Sequence, residues 1–177
     1  TLGTDLLFEE ETPPQESPAL TQEPTPSSLF EQQAQPIPAP PGEAQKETAV
    51  ESELLDIFLE EAREVLATLQ RRLPELRERP DDIDALTEVR RSIHTLKGSG
   101  RMVGLTELGE CAWALEQTLN AWLQRQWPAT PVLLQLLRQA HHLFADWVEA
   151  IAAGRFEAPE AVPALVAEAE RLRTLES

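Results

Sequence analysis

The chain has 177 residues, with 15 Lys+Arg against 31 Asp+Glu and a formal net charge of −16, which suits one ordinary domain plus an appendage and argues against general affinity for nucleic-acid phosphates. Its one cysteine, Cys111, cannot close an internal disulfide, no apolar run approaches the roughly 20 residues that cross a bilayer, and the opening Thr1-Leu2-Gly3-Thr4-Asp5 lacks a signal-peptide pattern. A cytoplasmic, reducing compartment is expected, with no nucleic-acid partner and no direct membrane insertion, and the missing initiator Met reads as a piece cut from a longer polypeptide.

Composition changes near residue 50. Residues 1–50 hold nine of the fifteen prolines, nine acidic residues and one basic residue, Lys46, with almost no apolar periodicity. Such a stretch cannot bury enough surface to offset the entropy of ordering it. A disordered, acidic, Pro-rich linker is expected, extended where Pro36, Pro38, Pro40 and Pro41 favour polyproline geometry. Its two small apolar clusters, Leu6-Leu7-Phe8 and Leu29-Phe30, read either as docking motifs or as idle features of a linker.

Across residues 51–177 apolar residues recur at spacings of three and four and strand-like alternation is absent, which predicts an all-α domain. The first helix is expected from Thr48, capped there with Glu51, burying Leu55, Phe58, Ala62, Val65, Leu69 and Leu73 and ending before Pro80, with a bend possible at Pro74. A second follows Asp81 or Asp82, buries Ile83, Leu86, Val89, Ile93 and Leu96, and ends near 102–104. The third carries Leu105, Leu108, Ala112, Leu115, Leu119 and Trp122 at the steps a bundle seam requires, and ends by Trp127-Pro128. Thr130-Pro131 supplies a cap and a first-turn proline for a fourth, which Gly154 ends. A last helix from about Pro159 carries Val162, Leu165, Val166, Ala169 and Leu172. Short connections favour antiparallel neighbours, so the expected fold is an up-and-down four-helix bundle with a fifth, C-terminal helix.

The second helix breaks the helical rules. Gly98 and Gly100 sit inside it, each costing about 1 kcal/mol relative to Ala. Residues 90–101 also hold four basic groups, Arg90, Arg91, Lys97 and Arg101, and no acid, inside a strongly acidic chain. At ~100° per residue, with the buried stripe centred on Val89, Ile93, Leu96 and Gly100, His94 lies more than about 100° away on the solvent-facing flank. Its neighbours one turn off are Arg90, Arg91, Lys97 and Gly98. A neutral imidazole there can take a phosphoryl group, whose charge the basic side chains stabilise, while the glycine gap lets a second protein approach. Taken singly, a surface histidine, a glycine pair for close packing and a solvated basic face are the plainer readings. Their joint spacing favours a phosphoryl carrier.

His94-Thr95-Leu96-Lys97-Gly98-Ser99 resembles the signature of histidine phosphotransfer (HPt) domains, including the N-terminal phosphorylated domain of the chemotaxis kinase CheA. The wider segment from Arg91 to Gly104 is similar to that of CheA-like hybrid histidine kinases of type IV pilus and twitching-motility systems, and the resemblance spans about residues 50–177. It implies a four-helix bundle in which His94 is the phosphoacceptor, Lys97 stabilises the phosphate, and Gly98, with Arg90, Arg91 and Arg101 around it, forms the docking surface. CheA-type members also carry a glutamate 22 residues after the histidine that hydrogen-bonds the other ring nitrogen; the matching position is Glu116. Glu116 sits beside Leu115 on the edge of the third helix's stripe, where it could face the second helix and fix the tautomer that leaves Nε2 free. An ordinary exposed glutamate is the alternative. Trp113 stands where CheA has a second histidine, a departure that bears on the tuning of reactivity.

The resemblance further implies CheY-like receivers and a CheA-type kinase catalytic domain as partners, with Mg2+ and ATP on those partners and no cofactor here. As a fragment the chain should be a monomeric carrier rather than an enzyme, within a protein that is itself a kinase. A helical adaptor that docks the same partners without chemistry is the competing reading. His141 and His142 lack a following Lys-Gly pair and read as structural or exposed, and a zinc site drawn from them and Cys111 would lack ligand spacing. No glycine-rich nucleotide loop, Walker pattern or Ser-His-Asp arrangement is found.

Overall fold

The computed structural model describes residues 41–175, which contain five helices: α1 Pro41–Glu78, α2 Ile83–Met102, α3 Thr106–Gln124, α4 Pro131–Ala152 and α5 Val162–Arg173. The first forty residues, expected as linker, with both apolar clusters, lie outside the described residues. α1 begins seven residues before the expected Thr48 cap. Pro41 supplies a preset φ for a first turn, and Glu43, Ala44, Gln45, Lys46 and Glu47 are good helix formers, so the helix extends back through them.

The other boundaries follow local chemistry. The Asp82 side chain accepts from the Ala85 N–H at 2.9 Å and caps α2. Thr130 caps α4 through the Leu133 N–H at 3.3 Å, with Pro131 in the first turn. Gly104 and Gly154, at φ +79 and +82, turn the chain after α2 and α4 in a conformation that favours glycine. α5 starts at Val162, three residues after Pro159.

Contacts between elements run in opposite order along consecutive helices, as an up-and-down bundle requires. Glu61 of α1 meets Ser99 of α2, while Arg72 meets Glu88; Lys97 of α2 meets Glu116 of α3, while Arg101 meets Glu110. α1 packs against both α2 and α4, and α2 packs against α3. α5 lies against α3 and α4 together, fixed by Thr118, whose hydroxyl donates to the Ala169 carbonyl at 2.7 Å. Phe58, Leu69, Ile93, Leu115, Trp122, Phe144 and Trp147 fill the core at 2% exposure or less. Ile83, expected inside, is 45% exposed: as the first residue of α2 it leans toward the helix N-terminus, where no preceding turn covers it.

Candidate functional site

α2 is held from both sides. On the α1 side, the Ser99 hydroxyl donates to Glu61 Oε2, and Arg71 and Arg72 both bind Glu88. The face left open between α1 and α3 carries His94, whose side chain is 59% exposed. The imidazole therefore stands in solvent at the middle of a helix whose other faces are packed.

Glu116 of α3 reaches this imidazole from below. Its side chain is only 5% exposed, and it gathers three basic groups of α2. His94 Nδ1–H donates to Oε1 at 2.6 Å, Lys97 Nζ donates to Oε2 at 2.6 Å, and the Arg90 guanidinium stands 3.7 Å from Oε1. Burial pushes the Glu116 carboxyl up, but the hydrogen bonds from Lys97 and His94, with their charges, outweigh it and hold the group below the usual carboxylate range. At neutral pH the carboxylate can only accept, so the hydrogen of a neutral His94 ring resides on Nδ1 and the lone pair on Nε2. That nitrogen points away from the carboxylate and is the one available to an incoming electrophile.

Basic groups are distributed differently around the ring from what α2 alone suggests. Arg90 and Lys97 converge on Glu116, and Arg101 pairs with Glu110 of α3 at 2.9 Å. Arg91 is exposed and has no acidic partner among the described residues. Four cations against the carboxylates of Glu61, Glu110 and Glu116 still leave the patch positive.

The two glycines of α2 serve different ends. A Cβ on Gly98 would meet nothing within 4 Å, so the bare backbone one turn above His94 is open surface. A Cβ on Gly100 would stand 2.8 Å from Leu108 Cδ2, so this glycine permits α2 and α3 to close. Gly109 on α3 does the same for Arg101, whose Cγ would lie 2.7 Å from an added Cβ. Glu61, Glu110 and Gly109 belong to the frame of the site and were not foreseen, although a glycine on the third helix facing the Gly100 end of α2 was a readable sign of close approach.

The remaining candidates lie elsewhere. His141 and His142 are on α4 and take no part in this cluster. Cys111 is buried, and burial pushes its thiol up to about 12, far from thiolate formation. Among the described residues no group of three or more His, Cys, Asp or Glu is arranged to hold a metal ion, and no helix is long and apolar enough to cross a membrane.

A helical bundle that offers an exposed imidazole, oriented by a buried carboxylate and flanked by open backbone, is of the class that presents a side chain to a visiting protein rather than enclosing a substrate. The Hpt domain family model matches residues 53–154, more than half of the sequence, and the chain belongs to that family. The chemotaxis protein CheA of Bacillus subtilis (strain 168) is 30% identical over 103 residues, covering 58% of this chain and 15% of that protein. The sensor histidine kinase CheAY of Helicobacter pylori is 32% identical over 85 residues, covering 48% of this chain and 11% of that protein. The chain thus spans about a sixth or less of the curated relatives it matches. In fold it is similar to the phosphorylated P1 domain of CheA3 from R. sphaeroides, solved in complex with CheY6, with a TM-score of 0.62 at 20% identity over 68% of this chain and 95% of that one.

Proposed function

We propose that this domain carries a phosphoryl group on His94 Nε2 between signalling proteins. The observation that carries the reading is the Glu116 arrangement: one buried carboxylate fixes Nδ1 as the protonated nitrogen and leaves Nε2 with its lone pair toward solvent. In the step itself Nε2 attacks phosphorus, an N–P bond forms, and the P–O bond to the donor breaks, its electron pair leaving with ADP or with the receiver's aspartate. Nε2 bears no hydrogen, so no base is needed to free it. Phosphoryl transfer then asks for little beyond alignment and charge stabilisation.

Each neighbour has a part in this. Lys97 holds Oε2 and so fixes the carboxylate; it stabilises the phosphate by sharing its ammonium once negative charge arrives beside it. Arg91, exposed and without an acid, steers the incoming anion, while Arg90 and Arg101 keep the surrounding field positive. Gly98 gives the partner's backbone room to approach.

The domain acts as a carrier and not as an enzyme by itself. Its donors and acceptors are a CheA-type kinase catalytic domain, which brings ATP and Mg2+, and CheY-like receivers; the relatives' names and the solved complex with CheY6 support this choice. We place it, as a monomeric cytoplasmic module of a larger CheA-like hybrid kinase, in chemotaxis-like control of type IV pili. The Arg91–Gly104 sequence supports the last point, and the acidic segment ahead of α1 then serves as linker.

Incubation with ATP, Mg2+ and a CheA-type catalytic domain, or with a phosphorylated receiver, tests the reading. Acid-labile, alkali-stable label is expected on the parent chain and none on His94→Gln. Label that survives in His94→Gln would place the phosphoacceptor on another residue, and partner binding with no label on the parent would leave only an adaptor.

A further inference from the structure

A second group of chemistry-bearing side chains lies on the α4 side of α1, away from α2. A cavity of about 300 Å³ there is lined by Arg77 of α1 and by Arg138, His141 and His142 of α4, over a floor that includes Leu73 and Pro74. No acid lines it, although the chain has 31 acidic residues against 15 Lys and Arg. Arg71, Arg72, Arg101 and Arg171 each hold a carboxylate, whereas Arg77 and Arg138 have no ion-pair partner among the described residues. Two unsatisfied guanidiniums therefore border one concavity.

The floor adds two further properties. Leu73 and Pro74 are apolar, so the floor offers a patch on which an apolar side chain can rest. Burial and then the neighbouring His142 hold the His141 imidazole below its ordinary range, against a hydrogen bond to the Leu66 carbonyl that acts the other way. The permanent positive charge lining the cavity is that of the two arginines.

We propose that this cavity docks an acidic peptide segment of a partner protein, seating an apolar side chain on Leu73 and Pro74 between carboxylates held by Arg77 and Arg138. Guanidiniums bind carboxylates in a paired, directional way. Inorganic phosphate would use the charge but not the apolar floor. A membrane surface offers anions in a plane, whereas these groups line a hollow. Because α1 separates the cavity from His94, occupancy leaves the phosphoacceptor free.

The 177-residue chain titrated with a fluorescein-labelled peptide carrying one leucine between pairs of glutamates provides the test, read by anisotropy and by backbone amide shifts. Saturable binding is expected, with shifts confined to residues 66–77 and 135–143. Affinity should fall at least tenfold in Arg77→Ala/Arg138→Ala and several-fold when serine replaces the peptide leucine, while phosphorylation of the double variant stays at the parent rate. Both arginines are exposed, so an unchanged melting temperature checks that the variant is folded. Absence of binding, undiminished binding to the double variant, or shifts centred on α2 and α3 would overturn the proposal. So would equally tight binding of inorganic phosphate or phosphatidylserine vesicles at the same residues, which would make this a bare anion site or a membrane contact.

Discussion

Glu116 concentrates the chemistry of the site in one side chain, because a single buried carboxylate sets the tautomer of His94 and the position of Lys97. Glu116→Gln should slow phosphorylation at least tenfold, since an amide can donate to Nδ1 and so release the tautomer; an unaltered rate would return Glu116 to a structural role. The sign of its pH effect follows from its lowered pKa. The folded chain binds this proton less readily than the unfolded chain, so the stabilisation is complete above the ordinary value of 4.5 and is lost as pH falls through the lower folded value. The gap in urea stability between parent and Glu116→Gln should therefore narrow below about pH 4.5, and a gap that stays constant to pH 3 would contradict it. The glycines separate in the same way. Gly98→Leu should raise stability by up to about 1 kcal/mol through helix propensity while slowing transfer to a receiver, because the new side chain fills open docking surface. Gly100→Ala should lower the melting temperature, because overpacking against Leu108 costs about 1–3 kcal/mol while the propensity gain returns about 1.

At the scale of elements, what could be read in the sequence is what one helix decides for itself. The apolar stripes of α2 beyond Ile83, of α3 and of α4, the cap at Asp82, one of the two candidates, the cap at Thr130, and the stops at Gly104 and Gly154 depend on neighbours within a turn, and the structure has them in place. α1 starts ahead of its Thr48–Glu51 capping signal because the helix-forming run after Pro41 continues the helix through it. His94, Lys97 and Gly98 were legible together because they share one helix. Glu116 came through family resemblance, and Glu61 and Glu110 not at all, since which acids meet α2 depends on the register of α1 and α3. α5 is fixed by an equally non-local contact, the Thr118 hydroxyl on the Ala169 carbonyl. Thr118→Val should cost about 1–2 kcal/mol and speed amide exchange in α5 first. Exchange rising equally in every helix would place the loss in the common core instead.

For the whole molecule, the division of labour is between a packed frame and an exposed reactive edge. The core and the contacts of α2 with α1 and α3 hold the helix in place, so that His94 needs no enclosing pocket and stays open to a visiting protein. In a chain of net charge −16 the basic groups of α2 stand out, which favours orientation of an anionic partner surface toward the imidazole over capture of nucleic acid. The account as a whole stands on which ring nitrogen bears phosphate. Long-range 1H–15N correlation spectra of the phosphorylated chain measure this directly: the expected result is a phosphoramidate at Nε2 of His94, with Nδ1 still protonated and bonded to Glu116. Phosphate on Nδ1, on His141 or on His142 would contradict it.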